Sequence, residues 1–479
     1  MRALSLRADR RSTIMAIMLS TGLATVAVGQ STDPAVFVRT YPNAAQGYVS
    51  SLTIAPDGAP ALVAAYPTAD TGAQAIALSP DGHFVAVAHG TANTIEEAID
   101  IFGVNPDASL VHLYSGFVPN SPLSMEWLNR NTLAVTKTSL SGANSVGVYR
   151  WDAIAQTLTE IDREDSGSFN SEILRHPHGR FLVANDTTQN VIRVFEILEN
   201  GELDSVWTQP TGGLYQFGFG FNELGTALYA GCGISSGSSK AIGYAFDLTT
   251  GQLDPLPGSP YTSPGSAPNE VDVEETGSWA FMSHGSDATL RSFSVQPDGS
   301  LVSANFAFDV GMQGSLGEAD TLGSRLYVTD NTTAADGKSG IYAFEIDPTN
   351  GRFSMIGTDL VSTGSSTPDG FDLWNPAEGI YLETTTLQRG EDATIRLTNC
   401  TPDELVGLAY SVSGPARVFV PRIGATIGLD DAVLFDTTRA NENGVATWSV
   451  TVPSNAPNHV WLQAAQIGRV SNVLQRRVN

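Results

Sequence analysis

Apolar residues fall in short runs of four to seven along most of the chain, broken by turns that contain Gly, Asp, Asn or Pro. "FVAVAH" (Phe84 to His89), "FLVAND" (Phe181 to Asp186) and "WAFMSH" (Trp279 to His284) each follow a tight turn carrying Gly82, Gly179 or Gly277. Runs of this length, bounded by turn residues, predict strands, and none has the length or spacing of an ordinary helix. One stretch shows the whole unit: "AIAL", "FVAVAH", "AIDIFGV" and "SLVHLYS", four apolar runs in succession.

The unit repeats. From Gly82 to Gly179 is 97 residues, with a degenerate copy, "NRNTLAVTK", between them, and later steps to Gly225, Gly277 and Gly323 are 46, 52 and 46. A period of about 48 residues with four strands per unit is that of β-propeller blades. Copies beginning near residues 74, 122, 170, 216, 268 and 316 give six blades. "GYVSSLTIAPDGAPALVAAYP" is expected to supply two outer strands and "TPDGFDLWNPAEGIYLE" two inner strands of a seventh that closes the ring. The alternative is six closed blades, with "GIYLE" opening the next domain. The expected division is a signal peptide over 1–29, an N-terminal segment over 30–46, a propeller over 47–383 and a small β-sandwich over 384–479.

The repeated turn-and-strand units, together with the outer hairpins "FDLTTGQLDPLPGSPYT", "VQPDGSLVSA" and "EIDPTNGRFSMIG", resemble the lactonase-type seven-bladed propellers, which include 6-phosphogluconolactonases and carboxymuconate cyclases. The resemblance covers about residues 45 to 380 and implies a lactone-handling site at the central channel. It also implies a Glu from an Ala-Glu-Ile motif and an Arg from an Asn-Arg strand end. Glu270 matches the first, but Ser283-His284 stands where Asn-Arg is expected. Phe169 and Ser171 occupy the family's His positions, and Asp186 is followed by Thr187-Thr188 rather than Leu-Gly.

Aligning the units on their turn glycines places Glu172, Glu270 and Glu318 at the starts of inner strands, and His89, Lys137, Asp186, Cys232, His284 and Asp330 at the ends of the second strands. Carboxylates crowded at one mouth raise one another's pKa and can divide acid and base roles or hold a hard cation. The expected catalytic set is Glu270 as base, His284 as acid or oxyanion partner, and Glu172 and Glu318 tuning them. His89, Lys137, Asp186 and Asp330 are the candidate substrate-binding residues. The cofactor expectation is none, or a Ca²⁺ or Mg²⁺ ion at the channel mouth. His176 and His178 fall in a first-to-second-strand turn on the opposite face, which predicts a turn-surface role.

Charge narrows the partners. With 25 Lys+Arg against 50 Asp+Glu, a net −25, the chain repels nucleic acid and anionic membrane surfaces. Arginines up to Arg11, an apolar run from Ile14 to Val28, and small Ala27 and Gly29 ahead of Gln30 read as a bacterial export signal, predicting a secreted or periplasmic protein with no membrane span after cleavage. Cys232 and Cys400 fall in different domains and are expected as unlinked thiols. The zincin His-Glu-x-x-His pair and Cys-x-x-Cys are absent. After Leu387, alternating strands such as "ATIRL" and "VATWSVTV" predict the sandwich, with Trp448 and Trp461 in its core and His459 facing solvent. Two functions follow: a secreted lactonase-like enzyme that hydrolyses or forms a lactone of a small sugar-derived or carboxylic acid, or a non-catalytic binding or surface-interaction propeller.

Overall fold

The computed structural model describes residues 30–479 except 41–45, 91–95, 139–143, 168, 213, 215, 234–238, 311–318, 331–338, 365–366 and 378. The expected signal peptide and Glu318 therefore lie outside the described residues. Strands, turns and bends account for all the regular structure among the described residues.

Seven sheets share one plan of four antiparallel strands in chain order, with a fifth short strand, Tyr261–Thr262, added to one of them. Inner strands begin with Ala73–Leu78 in blade 2 and continue with Met125–Asn129, Ile173–Arg175, Phe219–Phe221, Pro268–Val273 and Ala319–Leu322 in blades 3 to 7. Blade 1 joins the two ends of the propeller segment, in the order Pro368–Trp374, Ala35–Thr40, Gln46–Ile54, Pro60–Thr71. The closure is thus three N-terminal strands and one C-terminal strand, not two and two. "AVFVRT", assigned from sequence to a leading segment, is the second strand of blade 1, whereas Tyr381–Thr384 pairs with Asp392–Thr398 of the following domain.

The physical reason is burial. In five blades all six residues of the second strand are buried, Ala35–Thr40 included, because both faces of that strand pack on neighbouring blades. Left unpaired, Val36, Phe37 and Val38 would expose a wholly apolar strand. Seven apolar clusters each bridge one pair of adjacent blades: Phe37 and Val87 join blades 1 and 2, and Trp127 with Phe84 joins 2 and 3. The ring shuts where Val36, Leu52 and Phe371 of blade 1 meet Tyr327 and Ile341 of blade 7. A closed ring leaves no inner sheet edge to template aggregation. In the outer hairpins, Asp247 and Asp347 each accept backbone N–H bonds from residues two and three positions on, or two on, and Gly251 and Gly351 take the left-handed φ that completes the turn.

Residues 380–479 form two main sheets, one of Tyr381–Thr384, Asp392–Thr398 and Ala446–Thr451, the other built on Leu405–Ser411 and His459–Gln466, with a separate two-stranded pair of Val418–Val420 and Ala425–Ile427. They enclose a single core in which Leu382, Ile395 and Trp448 face Leu408, Leu462 and Ala464. Trp461 is buried as well, and both cysteines are buried and outside any disulfide. This unit sits on the propeller face that carries the first-to-second-strand turns. Asn399 donates to the Asp81 carbonyl of blade 2 (3.1 Å), Glu383 pairs with Arg130 of blade 3 (3.0 Å), the Gln475 N–H bonds the His178 carbonyl of blade 4 (3.1 Å), and Arg417 pairs with Glu275 of blade 6 (2.9 Å).

That docking corrects the reading of the two histidines. His176 and His178 do form a turn, closed by the Gly179 N–H on the His176 carbonyl, but the turn is buried rather than on the surface. His176 lies among Phe181, Phe221 and Phe246, donates from Nε2 to the Gly225 carbonyl (2.9 Å) and accepts the His178 N–H at Nδ1 (3.1 Å), which fixes a neutral ring. His459, expected to face solvent, is half-buried at the same junction and accepts from Arg180 (3.3 Å).

Candidate functional site

A cavity of about 470 Å³ runs along the propeller axis, a volume suited to a small molecule. Its apolar wall includes Ile76, Leu123, Phe169, Phe217 and Phe219. Its polar wall is acidic: Glu126, Glu172, Glu270, Asp272, Asp320, Asp369 and Asp372 line it, with Arg39 and Arg175 as the cations among the described residues.

Irregular pairing aims two of these groups and Gln74, which also lines the cavity. Strand register slips between Val38 and Thr40, between Ala73 and Ala75, and between Pro268 and Val271, so Arg39, Gln74 and Glu270 each sit at a bulge. A bulge turns a side chain out of the regular alternation and commonly marks a rim or an active site. Gly218 of the neighbouring inner strand makes room for the result: a Cβ there would lie 1.8 Å from Glu270 Oε2. Ser283 Oγ accepts the Glu270 N–H (3.2 Å), and Asn185 Oδ1 accepts the N–H groups of Ser171 and Glu172 (2.9 Å each), so the residue just before each predicted strand-end group anchors an inner strand.

Glu270 and Glu172 both line this one cavity. Arg39 Nη1 pairs with Asp369 Oδ2 (2.8 Å) and bonds the Ala73 carbonyl (3.0 Å), uniting blades 1 and 2 at the same cavity. Burial pushes the Glu270 carboxyl up to about 7, the nearby Asp369 charge adds to the rise, and Arg39 partly offsets it. Further along the axis, burial lifts Asp272 to about 6 against hydrogen bonds from Thr321, and lifts Glu126 to about 7 against the Arg175 charge 3.7 Å away.

The second-strand ring does not reach this cavity. Those strand ends are buried inside the blades, and a buried polar group is stable only with a partner. His89 bonds Asp100 through Nε2 (2.9 Å), and Lys137 pairs with Glu160 (2.7 Å) and lies over the Tyr149 ring. Asp186 accepts the Gln189 N–H (3.0 Å) and faces Arg193 (3.7 Å), and Asp330 is buried opposite Gly340. His284 accepts from Ser263 Oγ at 2.5 Å and donates from Nδ1 to the Met282 carbonyl (3.1 Å). The structure thus separates His284 from Glu270. Nor do the cavity's acids converge as ligands for the expected Ca²⁺ or Mg²⁺: among the described residues no three His, Cys, Asp or Glu side chains gather so as to hold a metal ion.

Arg39, Asp369 and Asp272 escaped sequence reading. Arg39 fell outside the expected propeller boundary, although an Arg within "AVFVRT" was a signal. Asp369 and Asp372 of "PDGFDLW" stand in the closing inner strand, which has no glycine turn on which to align it.

Among known proteins, the family "Lactonase, 7-bladed beta-propeller" matches residues 142–264. The ring is a seven-bladed β-propeller, and its matched stretch is similar to the lactonase type. A candidate 6-phosphogluconolactonase from Bacteroides fragilis superposes on it with a TM-score of 0.59 at 17% identity, over 72% of this chain and 98% of that one. A periplasmic gluconolactonase from Pseudomonas aeruginosa gives 0.58 at 16%, over 71% and 98%. At these identities the likeness establishes the propeller fold alone. No curated protein matches the chain in sequence.

The buried imidazoles yield a direct check. Burial lowers His178 and His284 to about 4, and His176 well below the ordinary 6.5. Stability from a depressed imidazole is present above 6.5 and lost as the pH falls through about 4. Side-chain NMR at pH 5.5 is expected to show all three rings neutral; titration of any near 6.5 would contradict the packing described.

Proposed function

We propose that the chain is a lactonase-like hydrolase that opens the lactone of a small sugar-derived or carboxylic acid in the axial cavity. One observation carries this reading: Glu270, a half-buried carboxyl raised to about 7, is aimed by a bulge into a cavity of small-molecule size that it shares with the Arg39 guanidinium. A general base serves best when its pKa lies near the working pH. The Glu270 carboxylate takes a proton from water as the water oxygen bonds to the lactone carbonyl carbon. Negative charge gathering on the carbonyl oxygen is met by Arg39, which has five N–H donors and is held by its bonds to Asp369 and Ala73. Collapse breaks the bond between the acyl carbon and the ring oxygen, and that oxygen takes the proton from Glu270 to become the hydroxyl of a hydroxy acid. Glu172 keeps further negative charge at the cavity. Ring closure is the same path reversed.

The named activities of the two structural neighbours support the reaction class, and the arginine-rich, then apolar N-terminus supports export. The rival reading, a non-catalytic interaction propeller, draws on the exposed Phe419 and Val433–Phe435 of the C-terminal unit. A pH-stat assay over a panel of five- and six-membered lactones decides between them. The expected result is catalysed opening that rises with pH through about 7; rates equal to buffer for every lactone at every pH would reject the enzyme reading.

A further inference from the structure

Charge balance and one orphaned atom in the axial cavity bear on what can occupy it. Seven carboxylates line it, and the two arginines are already committed, Arg39 to Asp369 at 2.8 Å and Arg175 to Glu126 at 3.7 Å. No other Lys, Arg or His lines it among the described residues. Lactonases of phosphorylated or carboxylated substrates must hold a second anion, which calls for a cation without a partner of its own; this wall supplies none. Asp272 adds a second, independent observation. Its Oδ2 is buried on the cavity wall without a hydrogen-bond partner. A buried oxygen left unsatisfied costs about 1–3 kcal/mol, which a ligand hydroxyl would relieve.

We infer that the cavity selects an uncharged, polyhydroxylated lactone and discriminates against phosphorylated or carboxylated analogues, with Asp272 accepting a substrate hydroxyl. The inference rests on the hydrolase reading above and specifies its substrate class. It also accounts for turnover: water adds across the acyl C–O bond, the neutral lactone becomes a hydroxy acid, and the acid ionises. The new carboxylate is repelled by the wall that admitted its precursor, so opening and product release are linked.

The test uses the full-length protein and a matched pair, glucono-1,5-lactone and the same lactone phosphorylated on its 6-hydroxyl, each followed by pH-stat. The neutral lactone is expected to have a kcat/KM about thirtyfold or more above that of the phosphorylated one, the repulsion of one like charge about 8 Å away at an effective dielectric of about 20. Asp320→Asn, which removes one wall charge, should narrow that ratio, while Asp272→Asn should raise KM for the neutral lactone more than for a lactone that lacks ring hydroxyls. Equal or faster turnover of the phosphorylated lactone would overturn the charge selection and leave the hydrolase reading standing. Opening of neither, together with inactivity across the wider lactone panel, would overturn both.

Discussion

Glu270→Gln is expected to lower lactone opening by about 10²–10⁴-fold, the usual contribution of a positioned general base, without lowering the melting temperature. Gln keeps the shape that fits the space left by Gly218, so packing gives no reason for unfolding. Electrostatics gives a reason for the opposite. The folded-state pKa of Glu270 lies at about 7, above its ordinary value of 4.5. A carboxyl raised in this way binds its proton more tightly when folded, so its stabilising share is complete below about 4.5 and is lost as the pH rises through about 7. At pH 8 the wild type therefore carries a poorly solvated charge that the variant lacks. Melting curves should coincide near pH 4.5, and at pH 8 the variant should melt at the same temperature or higher. An active variant would remove Glu270 from the mechanism; an inactive variant with a collapsed melting curve would show the residue to be structural.

How much of this was visible in the chain depends on what kind of regularity each feature leaves. Blade count and blade starts were legible because five of the seven blades repeat one turn, in which Gly82, Gly179, Gly225, Gly277 and Gly323 all adopt the left-handed φ that makes the repeat detectable. The seam was less legible because strand exchange between distant segments leaves no local mark. "AVFVRT" has no glycine turn before it, and its partner strand lies over three hundred residues away. Glu172 and Glu270 were reachable by counting from the turn. The error lay in counting the other way: seven residues past the glycine gives the end of a strand covered on both faces, so His89, Lys137 and Asp186 had to find partners within their own blades. Bulges broke the count as well. A slip of one residue turns a side chain to the other face, so the aim of Arg39 and Glu270 depends on irregular pairing that no periodic pattern announces. The buried His176 turn failed for another reason, since a turn looks solvent-facing until the domain that covers it is placed.

Arg39 is where the seam and the proposed chemistry meet, and its replacement should disturb both. Arg39→Met removes the guanidinium that pairs with Asp369 at 2.8 Å in a poorly solvated setting, and breaking such a pair typically costs about 3–5 kcal/mol. The same substitution deletes the positive charge that holds the Glu270 carboxyl down while leaving the Asp369 charge that pushes it up. The alkaline rise of any remaining activity should therefore move to higher pH, a shift that loss of packing alone would not produce. The double variant Arg39→Met/Asp369→Asn separates the two effects. With both charges gone, no ion is stranded, so most of the lost stability should return. With the Asp369 charge also gone, the rise in rate should move back toward about 7, while the maximal rate stays low because the oxyanion has lost its donor. Urea melts and pH-rate profiles of the wild type, Arg39→Met and the double variant measure both. If Arg39→Met melts like the wild type, the ion pair is not buried at the ring closure; if the double variant recovers the full rate, Arg39 does not stabilise the oxyanion, and Glu270 acts without it.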